Sequence, residues 1–125
     1  MPEHHPENCP AVSEVLARVG DKWSVLVIMR LGQGPRRFNE LKRMVEGVSQ
    51  RMLTLTLRGL ERDGLVSRTV TMSIPPRVDY ALTELGRDLQ KPVAKLGEWA
   101  VQNRTAIQEA RQQFDVASAD AKPKR

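Results

Sequence analysis

A mainly α domain carrying one small β-hairpin is the fold class predicted by three observations. Apolar residues recur at three- and four-residue spacing before Gly64 and again after Thr83. Glycines at 20, 32, 47 and 64 cut the first of these stretches into four short helical segments. Only residues 65–82 change to a two-residue period rich in β-branched side chains. A length of 125 residues suits one domain that needs neither metal nor disulfide to hold its core. That domain is expected over 10–114. Residues 1–9, rich in Pro, His and Glu, read as a flexible tail, and 115–125, small and polar throughout, as a disordered one.

Val12, Val15, Leu16 and Val19 form one face of a first helix that stops at Gly20. Asp21 can cap a second, in which Trp23, Val25, Leu26, Val27, Ile28, Met29 and Leu31 are dense enough that most of the circumference must be covered. Gly32, Gly34 and Pro35 break it. A third short helix sets Phe38, Leu41, Met44 and Val45 on one face and ends at Gly47. Ser49 is placed to cap a fourth, running to about Asp63 before Gly64. Leu65 to Met72 and Val78 to Leu82 then make a two-stranded hairpin around the tip Ser73-Ile74-Pro75-Pro76-Arg77. Thr83 caps one long carboxy-terminal helix carrying Leu85, Leu89, Val93, Leu96, Ala100 and Ile107, with a kink expected at Pro92. Helix-turn-helix followed by a hairpin is the winged helix-turn-helix arrangement, the hairpin being the wing.

Composition removes several function classes. A mean hydropathy of −0.44 and the lack of an apolar run near the roughly 18 residues of a membrane span argue for a cytoplasmic protein without membrane contact. Residues 1–10 have no apolar stretch behind a basic one, unlike a signal peptide. One cysteine and two adjacent histidines, His4 and His5, are too few for a structural zinc site. No metal or other cofactor is expected. A net charge of +5 favours a polyanionic partner, and 4% aromatics is too little for a base-stacking platform, so double-stranded DNA is the better candidate.

The charge is concentrated. Between Pro35 and Tyr80 nine basic residues face five acidic ones, which places +4 of the total +5 on the helix-turn-helix and hairpin. On a wheel of about 100° per residue, Met52, Leu53, Thr56, Leu57 and Leu60 share the core side of the fourth helix. Arg51, Thr54, Leu55, Arg58 and Arg62 collect opposite, with Gln50 at the edge. Arg51, Thr54 and Arg58 can read base edges, and Leu55 can meet a thymine methyl. A solvated, arginine-rich face is the alternative. Arg36 and Arg37, ahead of the third helix, can hold a phosphate with its amino-terminal amides. Arg77 either reaches the minor groove or backbone from the wing tip, or pairs with Asp79.

The ordered strings Cys9-Pro10, Gly20-Asp21-Lys22-Trp23, Gly34-Pro35-Arg36-Arg37-Phe38-Asn39-Glu40-Leu41, Ser49-Gln50-Arg51-Met52-Leu53-Thr54, Leu60-Glu61-Arg62-Asp63-Gly64-Leu65, Pro75-Pro76-Arg77-Val78-Asp79-Tyr80 and Leu82-Thr83-Glu84-Leu85-Gly86 resemble the HxlR-type bacterial transcriptional regulators, distant relatives of the MarR group. The resemblance covers about 10–100. It implies a homodimer on a pseudo-palindromic operator, with terminal helices forming the dimer interface through Val12, Leu16, Leu89, Val93, Leu96 and Trp99. By position it carries the start of the recognition helix onto Ser49, Gln50, Arg51 and Thr54, and the family's basic approach to the preceding helix onto Arg36 and Arg37. Two departures stand out: Leu55-Thr56 where such regulators often have a polar pair, and Gly59 where they have a good helix former. In several relatives the cysteine of the Cys-Pro element senses oxidants or electrophiles. Cys9 therefore has two readings, a redox sensor and a small apolar residue packed at the start of the first helix. A small-molecule effector between the DNA-binding lobe and the dimer helices is also compatible with this architecture.

A different class of function, a winged-helix protein-protein interaction module without specific DNA binding, would use Val93, Leu96 and Trp99 against another protein. A second subunit or the chain's own core is the simpler partner for that stripe. No phosphate-binding glycine loop, metal-ligand spacing or paired acid and base supports an enzyme.

Overall fold

The computed structural model describes residues 9–121, which form two units, one ending at Val93 and the other beginning at Ala94. Residues 1–8 of the tail expected over 1–9, His4 and His5 among them, and residues 122–125 lie outside the described residues.

In the first unit, α1 (Cys9–Val19) begins at Cys9 itself, one residue inside the expected tail. At the other end Gly20 N–H donates to the Leu16 carbonyl. Asp21 caps α2 (Lys22–Leu31), accepting from the Trp23 amide at 3.1 Å and from the Ser24 hydroxyl at 3.0 Å. That second bond satisfies Ser24, a buried polar side chain among aliphatic neighbours. Val27, Ile28 and Leu31 of α2 pack into a single core with Leu41 and Val45, with Leu53, Leu57 and Leu60, and with Val66 and Leu82. The densely apolar α2 is thus the spine of the core, as its sequence predicts.

Between α2 and α3 (Phe38–Met44), Arg36 and Arg37 form a short strand, β1, that the sequence reading does not contain. It pairs antiparallel with β3 (Arg77–Leu82), which pairs antiparallel with β2 (Val66–Thr71), so the expected two-stranded hairpin is the larger part of a three-stranded sheet ordered β1-β3-β2. Two residues leave no periodicity from which a strand can be read. At the start of α3 the Glu40 carboxylate accepts from the Arg37 amide at 2.9 Å, one half of a capping box.

The turn after α3 places Gly47 at φ +88°. The Ser49 hydroxyl then accepts from the Met52 amide at 3.1 Å, capping α4 (Gln50–Arg62). Leu53, Thr56, Leu57 and Leu60 are buried as expected, whereas Met52 is exposed at the edge of the core stripe. Helix α4 ends with the Leu65 amide bonded to the Leu60 carbonyl and Gly64 at φ +76°, a left-handed stop that glycine supplies without strain.

The wing returns to the place where it started. The Thr83 amide donates to the Leu65 carbonyl at 3.0 Å, its hydroxyl donates to the Gly64 carbonyl at 2.6 Å, and the same hydroxyl oxygen accepts from the Gly86 amide at 3.0 Å. Thr83 therefore caps α5 (Glu84–Gln102), as predicted, while tying the two roots of the wing together. Gly86 packs so closely that a Cβ there would collide with the Leu65 carbonyl oxygen. Pro92 lies inside α5, which continues on both sides of it. The single long helix expected after Thr83 is instead two. Asn103, whose side chain bonds the Trp99 carbonyl at 2.8 Å, separates α5 from α6 (Arg104–Ala121). The expected tail from 115 is helical as far as Ala121, since alanines at 117, 119 and 121 favour continuing the last turns. In the second unit no described side chain is buried.

Gly86→Ala forces a methyl group against main chain at the root of the wing. Thermal unfolding followed by circular dichroism should show a loss of roughly 1–3 kcal/mol, the usual cost of overpacking a site that cannot relax.

Candidate nucleic-acid interface

Helix α4 is held by one face and bare on the other. Arg51, Thr54, Leu55, Arg58 and Arg62 are all exposed, as is Gln50 at the amino-terminal end. Leu55 is 54% exposed, an apolar side chain standing among arginines. The Thr54 hydroxyl donates to the Gln50 carbonyl at 2.8 Å, so its lone pairs rather than its proton remain for a base edge. Arg62 lies in the last turn, about 18 Å along the axis from Gln50 by helical rise. It borders a hollow with Arg18 and Asp63 rather than joining the residues near the start of the helix.

The bare face divides into two stripes. Gln50, Thr54, Arg58 and Glu61 line a crevice of about 540 Å³ whose opposite wall is the sheet, through Arg68 and Tyr80. Arg51 and Leu55 lie outside that crevice. Arg68 and Tyr80 are absent from the residues singled out by sequence. Pairing across the wing, invisible in the linear chain, is what brings them opposite α4.

Arg36 and Arg37, expected to act together, are separated by the strand they form, because successive residues of a strand point to opposite faces. Arg36 stands beside Tyr80 and, beyond it, Arg68. Its Nε is buried without a hydrogen-bond partner among the described residues. Arg37 stands beside Asp79 on the other face. Arg77, two residues before Asp79 on β3, pairs with it at 3.0 Å while its side chain stays half-exposed.

Arg18 of α1 reaches over α4. Its Nε is 2.7 Å from the Asp63 carboxylate, and its guanidinium lies where a Cβ on residue 59 would be, 2.5 Å from the nearest nitrogen. Gly59, costly for an isolated helix, is the space Arg18 occupies. The pair adjoins a hollow of about 970 Å³ lined by Val15, Leu65, Leu85 and Leu89.

The expected dimer residues separate as well. Val93 is 3% exposed and Leu89 packs against the core, so both are occupied within the first unit. Val12, Leu16, Leu96 and Trp99 are exposed, the last two in the segment of α5 beyond Val93. Cys9 is half-buried at the first position of α1. Among the described residues no cluster of His, Cys, Asp and Glu could hold a metal ion, and no helix is long and apolar enough to cross a membrane.

Comparison with known proteins agrees with this geometry. The family model described as HxlR-like helix-turn-helix matches residues 18–108. An uncharacterized HTH-type transcriptional regulator of Bacillus subtilis (strain 168), YybR, is 43% identical over 105 residues, 84% of this chain and 83% of that protein. Among solved structures, a putative transcriptional regulator, ytfH from Salmonella typhimurium, superposes with a TM-score of 0.75 at 38% identity, over 81% of this chain and 90% of that one. The redox regulator HypR in its reduced form gives a TM-score of 0.75 at 41% identity, over 79% of this chain and 98% of that one. With a capped, half-bare α4, a wing beside it and a family match that spans α2 through the wing and α5, the chain belongs to the HxlR-like helix-turn-helix family and is a winged-helix transcriptional regulator.

Proposed function

We propose that the protein binds duplex DNA sequence-specifically, as a homodimer on a pseudo-palindromic operator, with α4 in the major groove. The observation that carries this is the bare face of α4. Arg51 and Arg58 have no ion pair among the described residues, and Leu55 is left uncovered beside them. Exposed beside those arginines, Leu55 is a side chain that a thymine methyl would cover in the major groove. Residues near the start of a recognition helix reach base edges, which assigns readout to Arg51 and Leu55 first. The interaction-module alternative finds no support in the relatives, which carry the names of transcriptional regulators.

The homodimer reading is supported by apolar surface that the chain leaves uncovered: Val12 and Leu16 on α1, Leu96 and Trp99 on α5, and Phe114 and Val116 on α6. Two copies would set two α4 helices on half-sites about one turn of DNA apart, roughly 34–36 Å. The sensor reading rests on Cys9 and on likeness to HypR, a redox regulator. With one cysteine in these 125 residues, oxidation would join Cys9 to a second thiol from another molecule, the two electrons and two protons passing to the oxidant. A small-molecule effector would act best in the hollow beside the Arg18–Asp63 pair, because that pair holds the end of α4.

In a mobility-shift series on fragments of its own upstream region, one duplex should bind at least tenfold tighter than random DNA. Arg51→Ala should lower that ratio more than it lowers random-sequence binding. Failure of every fragment to exceed random DNA at moderate salt would defeat the specific-regulator reading. Native mass measurement should give twice the chain mass, and Trp99→Glu should shift it toward one chain. Cys9→Ser should keep operator binding and lose the change that a thiol oxidant produces in the parent protein. A parent protein indifferent to the oxidant would remove the sensor reading.

A further inference from the structure

We propose that the crevice between α4 and the wing binds one backbone phosphate of duplex DNA, held by Arg58, Arg68 and the Tyr80 hydroxyl, so that Arg58 grips backbone and does not read a base. This rests on the DNA-binding reading above and deepens it.

The crevice has opposed walls. Arg58 comes from α4 and Arg68 and Tyr80 from adjacent strands, where Arg68 and Tyr80 are directly paired in register. A phosphodiester presents two unesterified oxygens carrying one charge, and two guanidinium groups with a phenolic hydroxyl supply donors from both sides. These donors are uncommitted. Neither arginine has an ion pair and the Tyr80 hydroxyl has no hydrogen bond among the described residues. Glu61 is the single carboxylate in the lining, against two guanidinium groups, so the crevice keeps a positive balance. Behind Tyr80, Arg36 adds a third uncompensated charge, its Nε buried and unbonded. Arg58 and Arg68 are exposed, so their attraction for a phosphate is screened by salt, which the test below uses.

The stripe pattern on α4 separates this role from base reading. Arg58 follows Gln50 and Thr54 at four-residue steps along the crevice wall, whereas Arg51 and Leu55 stand outside it. A helix lying in the major groove has a DNA strand passing along its flank, where the backbone would run between helix and wing.

The test is the salt dependence of binding by the full chain to a mixed-sequence duplex, followed by fluorescence anisotropy between about 50 and 200 mM salt. Arg68→Gln and Arg58→Gln should each lower the slope of log K against log salt, and the double variant should lower it by about 0.9 per chain in total, because the two arginines share one phosphate. Each should weaken binding roughly tenfold on every sequence, as loss of a charge-assisted hydrogen bond would. Tyr80→Phe should lose a few-fold affinity with the slope unchanged, and Glu61→Gln should tighten binding, a gain that misfolding cannot mimic. Lys91→Gln, which removes equal charge from α5, should leave the slope alone. The phosphate site is overturned if Arg68→Gln keeps the parent slope, if Lys91→Gln lowers it equally, or if Arg58→Gln weakens one sequence and spares others. If the parent chain binds no duplex at all, the DNA-binding reading itself fails and takes the site with it.

Discussion

The close approach of Gly86 to the Leu65 carbonyl is the constraint on which the rest of the reading unit depends. Four elements converge there: the end of α4, the start of β2, the end of β3 and the start of α5. Thr83 binds the Leu65 carbonyl through its amide and the Gly64 carbonyl through the hydroxyl that also caps α5, so the wing is closed at its root by hydrogen bonds and not by its tip. Because register along a two-stranded ribbon propagates residue by residue, fixing Val66 opposite Leu82 also fixes Arg68 opposite Tyr80. A one-residue slip of β2 against β3 would put Arg68 and Tyr80 on opposite faces and break up the surface beside α4.

A second link runs from α1. Arg18 lies on the backbone of α4 at Gly59 and pairs with Asp63, at the helix terminus where a cation also meets the negative end of the helix dipole. Such a partly exposed pair is worth little as stabilisation. Its consequence is geometric. A helix that begins at Cys9 is joined to the carboxy-terminal end of α4, and the guanidinium lies in the space that a side chain at 59 would take. The same glycine, read along the chain, is only a weak point in a helix; in the folded protein it is a socket. Its effect on helix propensity, about 1 kcal/mol relative to alanine, is therefore set against a contact that alanine would displace.

Much of this architecture was legible before any coordinates. The helices α1 to α4 follow from apolar spacing and from Asp21, Ser49, Gly20, Gly47 and Gly64 at their ends, all local signals acting within a turn or two. The wing follows from its change of period. What escaped were features with no local signature. Strand β1 exists only because β3 offers it an edge. The break at Asn103 depends on one side chain bonding backward, and the helical run past 115 on propensity in a stretch without an apolar face. Val93 and Met52 show the same limit, since a residue at the margin of a stripe is assigned to core or surface by its neighbours in space.

By itself the sequence determined the winged helix-turn-helix, the exposed face of α4 and the concentration of positive charge around it. Periodicity, capping and net charge are properties of short segments and of sums, and both survive without knowledge of the fold. Tertiary structure alone decided how those charges are used. It separated Arg36 from Arg37, set Arg77 beside Asp79, and placed Arg62 at the hollow beside Arg18. It also brought Arg68 and Tyr80 across from the wing to face Arg58. Each of these outcomes depends on which strands pair and in what register, a choice made between residues distant in the chain, where spacing along the sequence carries no information.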